Sequence, residues 1–133
     1  MDIENPKIPP NSIDSEQSVL GGLLLHNDSW DNVVNIISSD DFYQASHRII
    51  YDAIVILLEH DKPADILTVK EQVIKTHDEE SIGGFAYLAQ IAENTPSVSN
   101  IDAYAKHVRE LSIFRQLIKI GRELADTAFH PKD

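Results

Sequence analysis

Apolar side chains recur three and four residues apart along most of this chain of 133 residues, and each run stops at a proline, a glycine pair or a polar cluster. The first run is IPPNSIDSEQSVLGGLLL, residues 8–25. Pro10 lacks an N–H and pushes Pro9 toward extended angles, so a helix can begin only after them. Asn11 or Ser12 is placed to cap it, and Asp14 and Glu16 put negative charge at its electropositive end. Ile13, Val19, Leu20, Leu23 and Leu24 line one side of the helix. Gly21-Gly22 sits inside it, where each glycine costs about 1 kcal/mol relative to alanine. The pair marks either a loosely held middle or a place where another backbone comes close.

The helical period continues downstream. Trp30, Val33, Val34 and Ile37 fall at i, i+3, i+4 and i+7, with Asn27 or Asp28 available as a cap. Ile49, Ile50, Ala53, Ile54, Leu57 and Leu58 repeat between Ser46 and His60. Their β-branched content makes a strand the competing assignment, but the length and the lack of a turn signal favour a helix that ends at Asp61-Lys62-Pro63. Thr68-Val69-Lys70-Glu71 reads as a capping box opening a short helix that carries Val69, Val73 and Ile74. Gly83-Gly84 punctuates, Phe85, Leu88, Ala89 and Ala92 repeat again, and Asn94-Thr95-Pro96-Ser97 reads as a loop. No strand pair with a hairpin turn is visible.

From Ile101 to Ala128 no proline intervenes, and Asn100 can cap the start. These 28 residues form a helix about 42 Å long if continuous. The rest of the chain folds into a body about 34 Å across, so such a helix projects. Its second half carries Leu117, Ile118, Ile120 and Leu124, which face water unless a partner covers them. Gly121 either breaks the helix or lets another one approach. The expected plan is all-α: a tail over 1–8, a compact head of five to six helices over 9–99, and a projecting helix over 100–133. His130-Pro131 suits a turn into a following element, as expected of a piece of a longer protein.

Composition narrows the chemistry. The balance of 11 Lys and Arg against 22 Asp and Glu gives a formal charge of −11, which opposes tight binding to a phosphate backbone. Cysteine is absent, so disulfides and thiolate metal sites are excluded and a cytoplasmic location is expected. No apolar run is long enough to span a membrane, and MDIENPK lacks the core of a signal peptide. No glycine precedes a lysine, so there is no G-x-x-x-x-G-K-[ST] loop to cradle phosphates. No G-x-S-x-G or H-E-x-x-H occurs either. The six histidines are dispersed and read as solvated or capping groups. Asp40-Asp41 and Glu79-Glu80 are adjacent pairs, better suited to helix starts or solvent than to acid–base work. Asp40-Asp41-Phe42-Tyr43 is expected to cap and seat the next helix with its aromatics in the core. His47-Arg48 reads more readily as an arginine paired with a carboxylate than as a phosphate contact.

With no catalytic constellation, function is expected on the surface. Leu111, Phe114, Arg115 and Ile118 lie at i, i+3, i+4 and i+7 on the projecting helix and form a candidate interface, the alternative being that they pack on the head. Tyr87 lies off the Phe85/Leu88/Ala92 stripe with a polar tip suited to a partner. Asp14, at the open end of the first helix, is a third candidate.

Four stretches, PPNSIDSEQSVLGGLLL at 9–25, DDFYQASHRIIYDAI at 40–54, PADILTVKEQV at 63–73 and IGGFAYLAQIAENTPSVSNIDAYAKHVRE at 82–110, together resemble the N-terminal domain of the bacterial replicative DNA helicase, the DnaB-type hexameric helicase. The resemblance implies an all-α head followed by a protruding helical hairpin, with Ile101–Ala128 as the first arm and the second arm beyond Asp133. It implies pairing into dimers, three of which form a collar on the hexamer, and docking of primase on that collar. It implies a helicase loader as a further partner of the whole protein. ATP and Mg would be used by a C-terminal motor, with no cofactor in this stretch and little direct DNA binding. The competing function is a stand-alone helical module that binds proteins or senses a small molecule.

Overall fold

The computed structural model describes residues 8–95 and 98–131. The expected tail falls mostly on residues 1–7, which lie outside the described residues, as do Pro96-Ser97 of the expected loop and the terminal Lys132-Asp133. Among the described residues all regular structure is helical. Six α-helices, with a short 3-10 turn at every junction but that between the third and fourth, run in the order α1 (Ile13–Leu25), α2 (Trp30–Val33), α3 (Ala45–Glu59), α4 (Ile66–Ile74), α5 (Phe85–Glu93) and α6 (Ile101–Phe129).

Helix α1 is the axis of the head, packed against α3, α5 and α6. Ser12 caps it by accepting from the Ser15 N–H at 3.2 Å. Burial runs nearly around the helix, through Ser15, Glu16, Val19, Leu20, Gly21, Gly22, Leu23 and Leu24, while Ile13 is only half-buried. The expectation of one apolar side was therefore too narrow. The glycine pair is explained by close approach. A Cβ on Gly21 would overlap the Thr95 hydroxyl and stand 2.7 Å from the Ile91 carbonyl oxygen, and one on Gly22 would stand 2.8 Å from Ile101 Cδ1. Helices α5 and α6 thus reach the α1 backbone at adjacent residues. Gly121 is the opposite case, with nothing within 4 Å of a Cβ built there. Gly21→Ala should therefore destabilise the fold by about 1–3 kcal/mol through overpacking. Gly121→Ala should instead gain up to about 1 kcal/mol of helix stability. Thermal melts of the two variants followed by circular dichroism test this, and equal behaviour would contradict the packing role of Gly21.

The run around Trp30 differs from expectation. Only Trp30–Val33 is α-helical, after a 3-10 turn at Asn27–Ser29. Asn27 does not cap it. Its amide donates to the Leu23 and Ala64 carbonyls, both at 2.8 Å, and its Oδ1 accepts from the Ala64 N–H at 3.0 Å. The residue ties the end of α1 to the approach of α4. Val33 and Ile37 are buried and Val34 is exposed. The Tyr51 hydroxyl donates to the Ile37 carbonyl at 3.2 Å. Burial, with Asp41 and Asp52 nearby, pushes that phenol from 10 up to about 12, so it stays a neutral donor.

Helix α3 forms where its periodicity placed it, and Asp61 then turns the chain at φ 58° ahead of Pro63. The capping box of α4 lies three residues earlier than Thr68. Asp65 is the cap, its Oδ1 accepting from the Thr68 N–H at 2.9 Å while Thr68 Oγ1 accepts from the Asp65 N–H at 2.8 Å. Thr68 fills the third helical position, which moves the helix start back to Ile66. Gly83 and Gly84 both take positive φ, 83° and 86°, before α5.

Candidate docking surface on the last helix

Helix α6 runs unbroken for 29 residues, through Gly121, and is about 44 Å long. Asn100 stands at its cap position without a side-chain cap bond, and the Asp102 carboxylate accepts from the Ala103 N–H at 3.1 Å. Ile101, Ala105, Val108 and Ser112, spaced four, three and four, are the residues α6 buries against the head. Beyond Ser112 every residue through Pro131 is exposed except Arg115, which is half-buried.

The head holds α6 through Asp41, whose side chain is almost fully buried. Its Oδ1 accepts from Arg109 Nη1 and Ser112 Oγ, each at 2.8 Å, and its Oδ2 accepts from the Ser38 N–H at 2.9 Å. Asp41 therefore fastens its own turn and the long helix rather than capping α3. Arg115 completes the clamp, donating through Nη2 to the Asp41 carbonyl at 2.6 Å and through Nη1 to the Pro10 carbonyl at 2.8 Å. Its guanidinium lies 5.5 Å from the centre of the Tyr43 ring. Phe42 is buried in the core as expected, whereas Tyr43 stays partly exposed beneath Arg115.

The start of α3 is held instead by Glu16, which the sequence places at the head of α1 as a dipole partner. The folded chain buries it. Glu16 Oε2 accepts from the Tyr43 N–H at 2.7 Å, and Oε1 accepts from His47 Nδ1 at 2.7 Å. With the proton on Nδ1 assigned by that carboxylate, His47 Nε2 accepts from the Tyr87 hydroxyl at 2.7 Å. Gln17 Nε2 donates to the same hydroxyl at 2.9 Å. The His47 and Tyr87 rings stack with centroids 5.9 Å apart and planes 5° from parallel. His47 is thus fully buried, not solvated or capping. Arg48 donates to the Phe42 and Tyr43 carbonyls at 2.8 and 2.9 Å, so its partners are carbonyls rather than the carboxylate expected. Among the described residues no three His, Asp or Glu side chains converge on a metal-sized site.

The sequence-derived candidates fall in three places. Asp14 is exposed on the rim of a shallow cleft of about 350 Å³ between α1 and α5, with Gln17, Ser18, Ile91 and Asn94. Tyr87 belongs to the internal network. On α6, Leu111 is half-buried, Arg115 is bonded to the head, and Phe114 and Ile118 are 45% and 39% exposed. Leu117, Ile120 and Leu124, already expected to need a partner, are joined by Ile113 in a second apolar line, the four from Ile113 to Leu124 exposed by 41%, 58%, 51% and 67%. At about 100° per residue they lie on the side of α6 turned away from the head. Their four-three-four spacing is that of a helix–helix seam, and it was the available signal.

Residues 8–110 match the family model of the DnaB-like helicase N terminal domain. The chain belongs to that family. Over 130 residues this DnaB-like domain is 42% identical to the replicative DNA helicase DnaB of Pasteurella multocida, an alignment covering 98% of this chain and 28% of that protein. The chain thus spans less than a third of the length of that relative. The crystal structure of the N-terminal domain of DnaB helicase from Mycobacterium tuberculosis superposes with a TM-score of 0.88 at 34% identity, over 92% of this chain and 88% of that one. The N-terminal domain of DnaB helicase from Helicobacter pylori, described together with its interactions with primase, gives a TM-score of 0.75 at 26% identity, over 88% and 91% of the two chains. The all-helical head with one long last helix is the architecture that the family resemblance implied.

Proposed function

We propose that this DnaB-like domain is the assembly and primase-docking module of a replicative DNA helicase. The observation that carries the assignment is the seam Ile113–Leu117–Ile120–Leu124, left open on a helix that overhangs its own head, in a chain of this family. Four exposed aliphatic side chains in register on one helical face are what a second helix covers. In the whole protein that helix is the second arm of a hairpin, with residues 9–99 as the head and 100–133 as the first arm. Paired domains then form a collar of three dimers, with primase docked on it and a loader acting on the hexamer in the cytoplasm. The ATP and Mg of unwinding belong to a motor elsewhere in that protein. A formal charge of −11 leaves this domain a minor share of DNA binding.

Isothermal titration of this chain with the helicase-binding region of primase tests the docking role. Saturable binding is expected, weakened about tenfold or more by Phe114→Ala combined with Ile118→Ala. No heat of binding from a folded chain would contradict it.

A further inference from the structure

On another face from the seam, α6 carries a second feature of different chemistry. Arg115, Lys119 and Arg122 stand at i, i+4 and i+7, one helical ridge continuing past the point where the head ends. With Pro9, Ile118 and Glu123 they line an open cleft of about 250 Å³. Its floor is apolar, made by Pro9, Ile118 and the alkyl stems of the cations, which keep their charged heads at the rim. Among the described residues neither Lys119 nor Arg122 is in an ion pair, and Arg115 spends its donors on two neutral carbonyls, which leave its charge uncompensated. The Glu123 carboxylate on the same rim is likewise unpaired and offsets one charge. In a chain of formal charge −11, this is a local excess of positive charge over an apolar floor.

We propose that this cleft is a docking site for an acidic peptide segment of a partner protein, with carboxylates on the three cations and one aliphatic or aromatic side chain on the floor. Charge complementarity selects an acidic occupant. A nucleic-acid strand fits less well, because a chain of formal charge −11 repels an extended run of phosphates, while a short peptide needs only the local charge. The inference rests on α6 being a docking element, but it needs neither the hairpin's second arm nor primase.

The test is fluorescence anisotropy of a labelled peptide in which aspartates flank a single leucine, titrated with the whole chain at low and high salt. Binding should saturate, weaken with salt, and fall about tenfold or more in the Lys119→Glu, Arg122→Glu double variant. Arg115 is left intact because it holds α6 to the head. A Leu117→Glu variant, altered on the seam alone, should bind the peptide as the parent does, which separates this cleft from the proposed assembly surface. The site is overturned if the peptide fails to bind, or if the double variant binds it equally well. Stronger binding by an oligothymidylate of equal charge would make the occupant nucleic acid. Loss of self-association in the double variant would make it a second copy of the chain. Either result overturns the peptide assignment.

Discussion

Glu16→Ala should lower the unfolding free energy by about 2–5 kcal/mol, the cost of leaving two hydrogen-bond donors without the buried carboxylate that accepts from both. Glu16 is 1% exposed, and its carboxylate serves two elements at once. Removing it leaves the part-buried Tyr43 N–H and the buried His47 Nδ1 proton with no acceptor, and both belong to the stretch that enters α3. The cost also spreads outward, because His47 loses the partner that fixes its tautomer and so its bond to the Tyr87 hydroxyl. Glu16→Gln keeps an acceptor near Tyr43 and should lose less. Urea denaturation of both variants measures this. A loss below about 1 kcal/mol in the alanine variant would mean that water or a rearranged side chain replaces the carboxylate.

Leu20→Ala should cost about 2–5 kcal/mol, the range for emptying a buried leucine site. Leu20 has no solvent exposure, and its helix is packed by α3, α5 and α6. The glycines beside it fix how far the site can relax. With α5 and α6 already against the α1 backbone at Gly21 and Gly22, there is little slack to close a cavity, which argues for the upper part of that range. A loss below about half a kcal/mol would contradict the assignment of α1 as the axis of the core.

Helices whose burial follows one apolar stripe were legible in the sequence. Helix α3 and the first half of α6 formed where the three-and-four spacing placed them, and the glycine pair in α1 did signal close approach. Less was legible where a side chain had two local roles open to it. Glu16 in the first turn of a helix satisfies the dipole rule, and only the folded chain brings His47, 31 positions later, onto its carboxylate. At α4 both Asp65-x-x-Thr68 and Thr68-x-x-Glu71 fit a capping pattern, and the earlier one prevails because Asp65 and Thr68 bond reciprocally. The segment after Trp30 carries helical spacing, yet Asn27 and Tyr51 spend their hydrogen bonds tying its two ends to other parts of the head.

The docking surface shows the same limit. On α6, Leu111/Phe114/Arg115/Ile118 and Ile113/Leu117/Ile120/Leu124 both have helical periodicity, so spacing could not say which line is free. That is decided by where the head stops. Asp41 clamps Arg109 and Ser112, Arg115 reaches back to Pro10, and beyond them the helix stands clear. The sequence did show that the second half of α6 carries apolar residues with no head to cover them.

The seam is the center of the functional assignment, and sedimentation velocity over a wide concentration range tests it most directly. The account predicts a weight-average sedimentation coefficient that rises with concentration for the parent chain. It predicts a monomer at all concentrations, with unchanged helical content, for the Leu117→Glu, Leu124→Glu double variant. A parent chain that stays strictly monomeric, or a double variant that associates as the parent does, would contradict it.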